Sequence, residues 1–523
     1  MTTTVGFATH GETLKLLYDA FGMLPRKEAR FDEFDETDKK TLQKQLARLA
    51  SEEGNLVENY KKAITAFRQL LAKYLTDQGQ ADALRMMIEE IDQIYAEMIR
   101  TEGTYLDKSE SLRYFISIKA VPTFVMMLNR SMLRFGIDEA KGISADDVFW
   151  YLPTWEPDGR LTMPLAKVVR WAYAACGTSQ KQFHCPGRIS DPTEPAKQQN
   201  LDNAINWTRG KTLPSLPALM ANFNESFAAL SKYNRPVELE KQTTILTSLV
   251  YARSATFIAQ LIQDAYSTAY LEDVCRQIRQ MTQFLQEEVQ EFKAQVVPIV
   301  ARQPSNEQAR IVWFDACRHH EYFVRHKTRK VQETLLKLHK ERPYKPFRPE
   351  VLDALVSKFG NFAVHANTDR LRRQANFTPP TGFQEMLFCG LDIKGQSETT
   401  LGQIDEFEQR LANGKLQDTL CWLPPWLRGV YHYRREDFAA AFPHYEVAFE
   451  QAKYRAGAYQ YKLVNQFVEL AAKNDKAFHF KKGVDWATYI GLEIRWLRDK
   501  EPTQENLDFA RYMMKVANYS HQL

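Results

Sequence analysis

The sequence is poor in the features that mark secreted, fibrous or membrane-embedded chains. Its six cysteines, Cys176, Cys185, Cys275, Cys317, Cys389 and Cys421, lie far apart. None shows C-x-x-C or similar ligand spacing, which argues against a zinc module and against a disulfide framework. Glycine and proline number only 22 each in 523 residues, too few for a disordered or collagen-like chain. Charge of one sign is also scarce. The 69 Lys and Arg against 65 Asp and Glu leave +4, so nucleic-acid binding would need a local basic stripe. No stretch approaches 18 uninterrupted apolar residues, and the start, Met1 to His10, lacks the basic head and apolar core of a signal peptide. The expectation is a cytoplasmic chain of reduced thiols with no membrane span.

What is present is core-forming material: 44% hydrophobic residues, with 31 Phe, 23 Tyr and 9 Trp. The length predicts about three or four domains. Apolar residues recur at steps of three and four, which puts them on one stripe of a helix. Leu42, Leu46 and Leu49 form one such series, and Tyr60, Ile64, Phe67, Leu71 and Tyr74 the next. After the turn composition Thr76-Asp-Gln-Gly79 comes Leu84, Met87, Ile91, Ile94 and Met98. Residues 1–145 therefore read as a helical bundle. From 146 to 236, Pro153, Pro157, Pro164, Pro186, Pro192, Pro195, Pro214 and Pro217 cut the chain into short helices. Long helices return in 237–350. Ile245, Leu249, Ala252, Thr256, Ala259 and Ile262 face one way, and Leu271 through Val296 continue as the second arm of a hairpin that Pro298 should end. A further helix spans Glu307 to Glu341. No alternating stretch is long enough to seed a sheet, so the fold class is all-α and multidomain, closed by a helical region at 351–523.

Two stretches in the middle resemble the helix-turn-helix of lambda-repressor-like (Cro and xenobiotic-response-element) proteins. In Ser179-Gln-Lys-Gln-Phe-His-Cys-Pro-Gly-Arg-Ile-Ser190, Gln180, Phe183 and Gly187 stand near the family's Gln, apolar and turn-glycine positions. Leu165, Val168, Val169, Trp171, Ala172 and Ala175 suit its first helix. In Ala204-Ile-Asn-Trp-Thr-Arg-Gly-Lys-Thr-Leu-Pro-Ser-Leu-Pro-Ala-Leu219, Trp207, Gly210, Lys211, Pro214, Ser215, Leu216 and Leu219 follow the family's run from recognition helix into the next helix. Pro186 falls where the second helix should still run, and Ser190 to Ala204 is longer than the family's segment. The resemblance implies a recognition helix near Ala196–Trp207, with Gln198, Gln199, Asn200, Asn203 and Asn206 facing a major groove. Amide side chains pair bidentately with adenine. Gln180, Arg209 and Lys211 would hold phosphates. Double-stranded DNA is the implied partner, in a bacterial regulator or in a host-defence or toxin–antitoxin component.

Between Arg318 and Arg348, ten cations meet three Glu on an amphipathic pattern. Val324, Val331, Leu335 and Leu338 share one face. Lys327, Arg329, Lys330 and Lys337 lie toward another and could grip a phosphate backbone, with Arg370, Arg372 and Arg373 extending the patch; a solvated surface is the plainer alternative. His320-Glu321 lacks the second His that a zinc-protease helix needs, since position 324 is Val. Trp422 to Arg455 resembles one tetratricopeptide repeat, with Gly429, Ala441, Tyr445 and Ala448 in its small and aromatic positions and Arg434-Arg-Glu-Asp437 as the turn. Lys453 replaces the terminal Pro. A second unit would run from Gly457 to Ile490, around Ala471 and Ala472. Such a stack implies a protein partner bound through the C-terminal helices.

No P-loop, dinucleotide fingerprint or nucleophile elbow occurs. The sequence leans away from an enzyme and implies no cofactor or metal. A helical interaction scaffold without a nucleic-acid role is the alternative, and a helical enzyme whose site is assembled from distant residues is a third.

Overall fold

The helical spacing read from the sequence is carried through the described residues. The structure, a computed structural model, describes residues 5–23, 36–75, 78–135, 148–179, 194–232, 234–341 and 347–517. The first group of helices is α1 (His10–Phe21), α2 (Glu36–Ala50), α3 (Leu56–Tyr74), α4 (Gln78–Thr101), α5 (Lys108–Phe115) and α6 (Val121–Phe135), the last two joined by a π-helical turn at Ile116–Ala120. A hairpin of two-residue strands, β1 (Thr154–Trp155) and β2 (Leu161–Thr162), leads into α7 (Pro164–Ala175), α8 (Glu194–Thr208) and α9 (Leu216–Lys232). Then come α10 (Leu239–Ala265), α11 (Thr268–Val300), α12 (Asn306–Glu341), α13 (Pro349–Phe359) and α14 (Asn361–Gln374). The C-terminal region holds α15 (Phe383–Gly395), α16 (Leu401–Asn413), α17 (Leu423–Arg434), α18 (Phe438–Ala452), α19 (Tyr459–Lys473), α20 (Ala477–Tyr489) and α21 (Gln504–Val516). The chain is all-α and multihelical.

The apolar cores run across the boundaries expected at 145, 236 and 350. One core joins α1, α2 and α3 to α7, α9 and α10 through Tyr18, Phe67, Val168, Phe223 and Leu249. A second joins Phe7, Tyr95, Ile99 and Phe115 to residues 386–514. A third packs α6 and the turn at Tyr151 and Leu152 against α10 and α11. The N-terminal segment is the thread between the first two. Phe7 N–H donates to the Tyr454 carbonyl at 2.9 Å, and His10 lies buried among the rings of Tyr60, Tyr95, Tyr454 and Tyr489 with Asp92 at 3.5 Å.

Arg253 ties these pieces together. It is 3% exposed on α10, and its guanidinium donates to Pro214 O at 2.9 Å, to Asp19 O at 2.6 Å and to Ala20 O. Those three carbonyls belong to the end of α1 and to the loop before α9. Gly22, with φ +63°, lets the chain turn there; a Cβ would sit 2.5 Å from the guanidinium.

In the C-terminal region, helices pair as consecutive hairpins: α15 with α16, α17 with α18, α19 with α20, then α21 against α19. Close approach is permitted by glycine at the crossings. A Cβ on Gly429 would lie 2.8 Å from the Tyr445 ring, and one on Gly483 2.5 Å from Val468. The turn expected at 434–437 is present: Asp437 N–H reaches back to His432 O at 3.1 Å, and the Asp437 carboxylate caps α18 at Ala440 N–H. Neighbouring first helices are linked by polar contacts, a buried one from Trp426 Nε1 to Gln466 at 2.6 Å and a partly buried one from Tyr433 to Glu469 at 2.8 Å.

Pro298 does not end α11, which runs two residues further to Val300. Two helical stretches, Lys108–Ser131 and Leu239–Ala265, are long and apolar enough to cross a membrane by length and composition alone; 44% and 67% of their apolar windows are buried inside the fold. The expectation of no span rested on uninterrupted apolar runs, and these stretches are interrupted.

Candidate nucleic-acid interface

The α7–α9 segment is held from behind by α10. Pro164 starts α7 with its preset φ, and the Leu165 N–H donates to Thr256 Oγ1 of α10 at 2.9 Å. Leu165, Val168, Val169 and Ala172 are buried on the face toward the core. The helix closes at Gly177, with φ +61° and Thr178 N–H bonded to Tyr173 O at 3.0 Å.

The segment near Ala196–Trp207 is helical and lies within α8. Its inner face is thin: Ala204 and Trp207 are buried, while Leu201 and Ile205 are half-buried. Its outer face is polar. Gln198, Asp202 and Asn203 are exposed, and Gln198 donates to Asp202 at 3.0 Å; Asn206 is half-buried. Gln180 and the side chains of Gln199 and Asn200 lie outside the described residues. Gly210 adopts φ +68°, and the pair Gly210 N–H to Trp207 O (3.0 Å) and Lys211 N–H to Asn206 O (2.8 Å) forms the left-handed cap that ends a helix. Ser215 then caps α9, its Oγ accepting from Ala218 N–H at 3.4 Å. Pro214 precedes the helix, and Pro217 occupies its first turn.

Cations gather at the C-terminal end of α8. Arg209 and Lys211 are exposed there, and Arg170 of α7 donates to the Thr208 carbonyl at 3.2 Å. A cation at this end complements the helix dipole. Among the described residues, no ion pair joins Arg170, Arg209 or Lys211 to a carboxylate. Lys241 holds the end of α7 in the same way, through Ala175 O at 3.2 Å.

The basic helix is arranged differently. α12 buries Val324, Val331 and Leu335 as its pattern requires, but acids of this chain engage most of its cations. Lys327 faces Glu288 at 3.5 Å, Arg329 and Lys330 share Glu333 at 3.2 Å each, and Arg325 pairs with Glu90 and Glu321. Burial raises the Glu288 carboxyl above its ordinary range, and Lys327 opposes that shift. Lys337 is exposed. Of the cations expected to extend the patch, Arg370 is half-buried and Arg372 exposed. Arg373 is buried between Asp273 and Asp369, and Arg372 pairs with Asp369 at 2.6 Å. His320 stacks on Phe292, and among the described residues no group of His, Cys, Asp and Glu could hold a metal ion.

Sequence reasoning missed Arg170, whose position on the first helix gave no sign that it would reach the end of α8. No family model, no curated protein and no solved structure matches the chain.

Proposed function

We propose that this chain binds duplex DNA, with α8 entering the major groove, and binds a protein partner through its C-terminal helical hairpins. The observation that carries the reading is one helix: α8 exposes Gln198 and Asn203, and its end is ringed by Arg170, Arg209 and Lys211. Amides read adenine edges, while cations beside them hold phosphates and set register. The tetratricopeptide-like order of Gly429, Ala441, Tyr445 and Ala448 supports the second half, because stacked hairpins present a continuous surface to a peptide. In this reading the chain is a non-enzymatic regulator or defence component. α12 contributes little to DNA affinity, since the chain's own acids neutralise most of its cations.

The test is duplex binding by fluorescence anisotropy across a salt series. Affinity should fall steeply with salt, and Arg209→Ala with Lys211→Ala should reduce the slope of log K against log salt by about two. Lys330→Ala with Lys337→Ala should leave it nearly unchanged. An unaltered slope in the first variant would overturn the site. No binding at low salt would favour the scaffold reading, in which only the C-terminal hairpins engage a partner.

A further inference from the structure

A chamber of about 270 Å³ lies between α4, the α5–α6 unit, the turn at residues 150–153, α10 and α11. This is just below the roughly 300–1,000 Å³ usual for small-molecule sites. Its walls are aliphatic and aromatic, and the polar groups among them are those of Ser131, Trp150, Tyr151, Tyr251, Ser254 and Cys275. Among the described residues, no Asp, Glu, Lys, Arg or His lines it. Burial pushes the Cys275 thiol up to about 11, so it too is neutral at physiological pH. The Ser254 hydroxyl already donates to the Tyr251 carbonyl at 2.9 Å.

A second observation comes from the helices themselves. The two stretches with membrane-like composition, Lys108–Ser131 and Leu239–Ala265, both line this chamber. In α10 apolar residues occupy two faces. Ile245, Leu249 and Ala252 fill the core behind α7 and α9, while Ala255, Ile258 and Ile262 face the chamber. An apolar helix face is ordinarily covered, yet Ile258 is 48% exposed at this wall. Water in such a space would find few partners.

We propose that this chamber is a binding site for a neutral aliphatic small molecule, an alkyl chain carrying at most one uncharged polar end. A charged end would have to be desolvated against described walls that offer no counter-charge. The site is independent of α8 and stands whether or not the chain binds DNA.

Nile red, a neutral apolar fluorophore, tests this with the full chain. It should bind saturably at one per chain, decanol should displace it, and decanoate should do so at least tenfold less well. Ala255→Trp fills the chamber from α10 and should weaken Nile red at least tenfold. Ile258→Asp puts a charge at the exposed rim, where folding is not at stake, and should do the same if the first variant fails to fold. Absence of saturable binding to the wild-type chain would overturn the proposal. So would unchanged affinity in folded variants, or equal competition by decanol and decanoate.

Discussion

Replacing Arg253 by Met should release α1 and α9 from α10. The arginine stem is buried and Met fills similar space, so the perturbation is mainly the loss of three guanidinium hydrogen bonds, to Asp19, Ala20 and Pro214. Hydrogen bonds from a charged donor contribute roughly 1.5–3 kcal/mol each, so three sum to about 5–9 kcal/mol if independent. They are not independent. All three share one side chain, and Asp19 O keeps the N–H of Gly22 at 3.0 Å. Burying the uncharged Met stem also removes the desolvation cost of the guanidinium. A loss of about 3–5 kcal/mol follows. Several cores make a single unfolding transition a poor readout, so amide hydrogen exchange by mass spectrometry is the suitable assay. Protection in peptides covering α1 and α9 should fall about 100-fold or more, at roughly 1.4 kcal/mol per tenfold, while peptides in α17–α20 keep theirs. Protection in α1 and α9 within threefold of wild type would refute the clamp.

Two other predictions concern the C-terminal hairpins. Gly429→Val forces a branched side chain against the fully buried Tyr445 ring, which a Cβ alone would already approach to 2.8 Å; a loss of about 2–4 kcal/mol in local stability, read as faster exchange in α17 and α18, is expected, and unchanged exchange would contradict the close crossing. Lys394, over the Trp426 ring at 4.8 Å, has its ammonium pKa pulled down to about 8 by burial first and by Lys462 and Arg434 next. Between pH 8 and 10 the unfolded chain then holds more protons at this site than the folded one, so the site's contribution to stability rises with pH, by roughly 1–2 kcal/mol. Amide exchange in peptides of α15 and α17, corrected for the intrinsic pH dependence of exchange, should show this rise in wild type and not in Lys394→Met; equal pH dependence in both would assign it elsewhere.

The parts of the fold visible in the sequence are those governed by short-range periodicity. The helix expected from Glu307 to Glu341 is found at Asn306–Glu341, and the buried stripe of Val324, Val331 and Leu335 is the one its spacing marks. Gly210 closes α8 in the left-handed region because the next residue's N–H must reach back to Asn206. What the sequence does not display is which distant residues meet. Ten cations between 318 and 348 look like a phosphate grip until Glu90 and Glu288, far away in the chain, are placed beside Arg325 and Lys327. Arg253 reads as one polar residue on an apolar helix, and its three carbonyl partners come from positions 19, 20 and 214. The apolar chamber is equally invisible, since its walls come from five separate parts of the chain. Pro298 shows the limit of a local rule: so near the end of α11, its missing N–H interrupts little.

The most direct test of the DNA reading places a photo-crosslinking amino acid at Asn203 on the exposed face of α8 and, separately, at Lys337 on α12, and irradiates each protein with a labelled duplex at low salt. The account predicts a covalent adduct from position 203, lost when Arg209 and Lys211 are both alanine, and little or none from position 337. Adducts from 337 alone would put DNA on a different helix, and none from either would contradict the assignment of α8 to a groove.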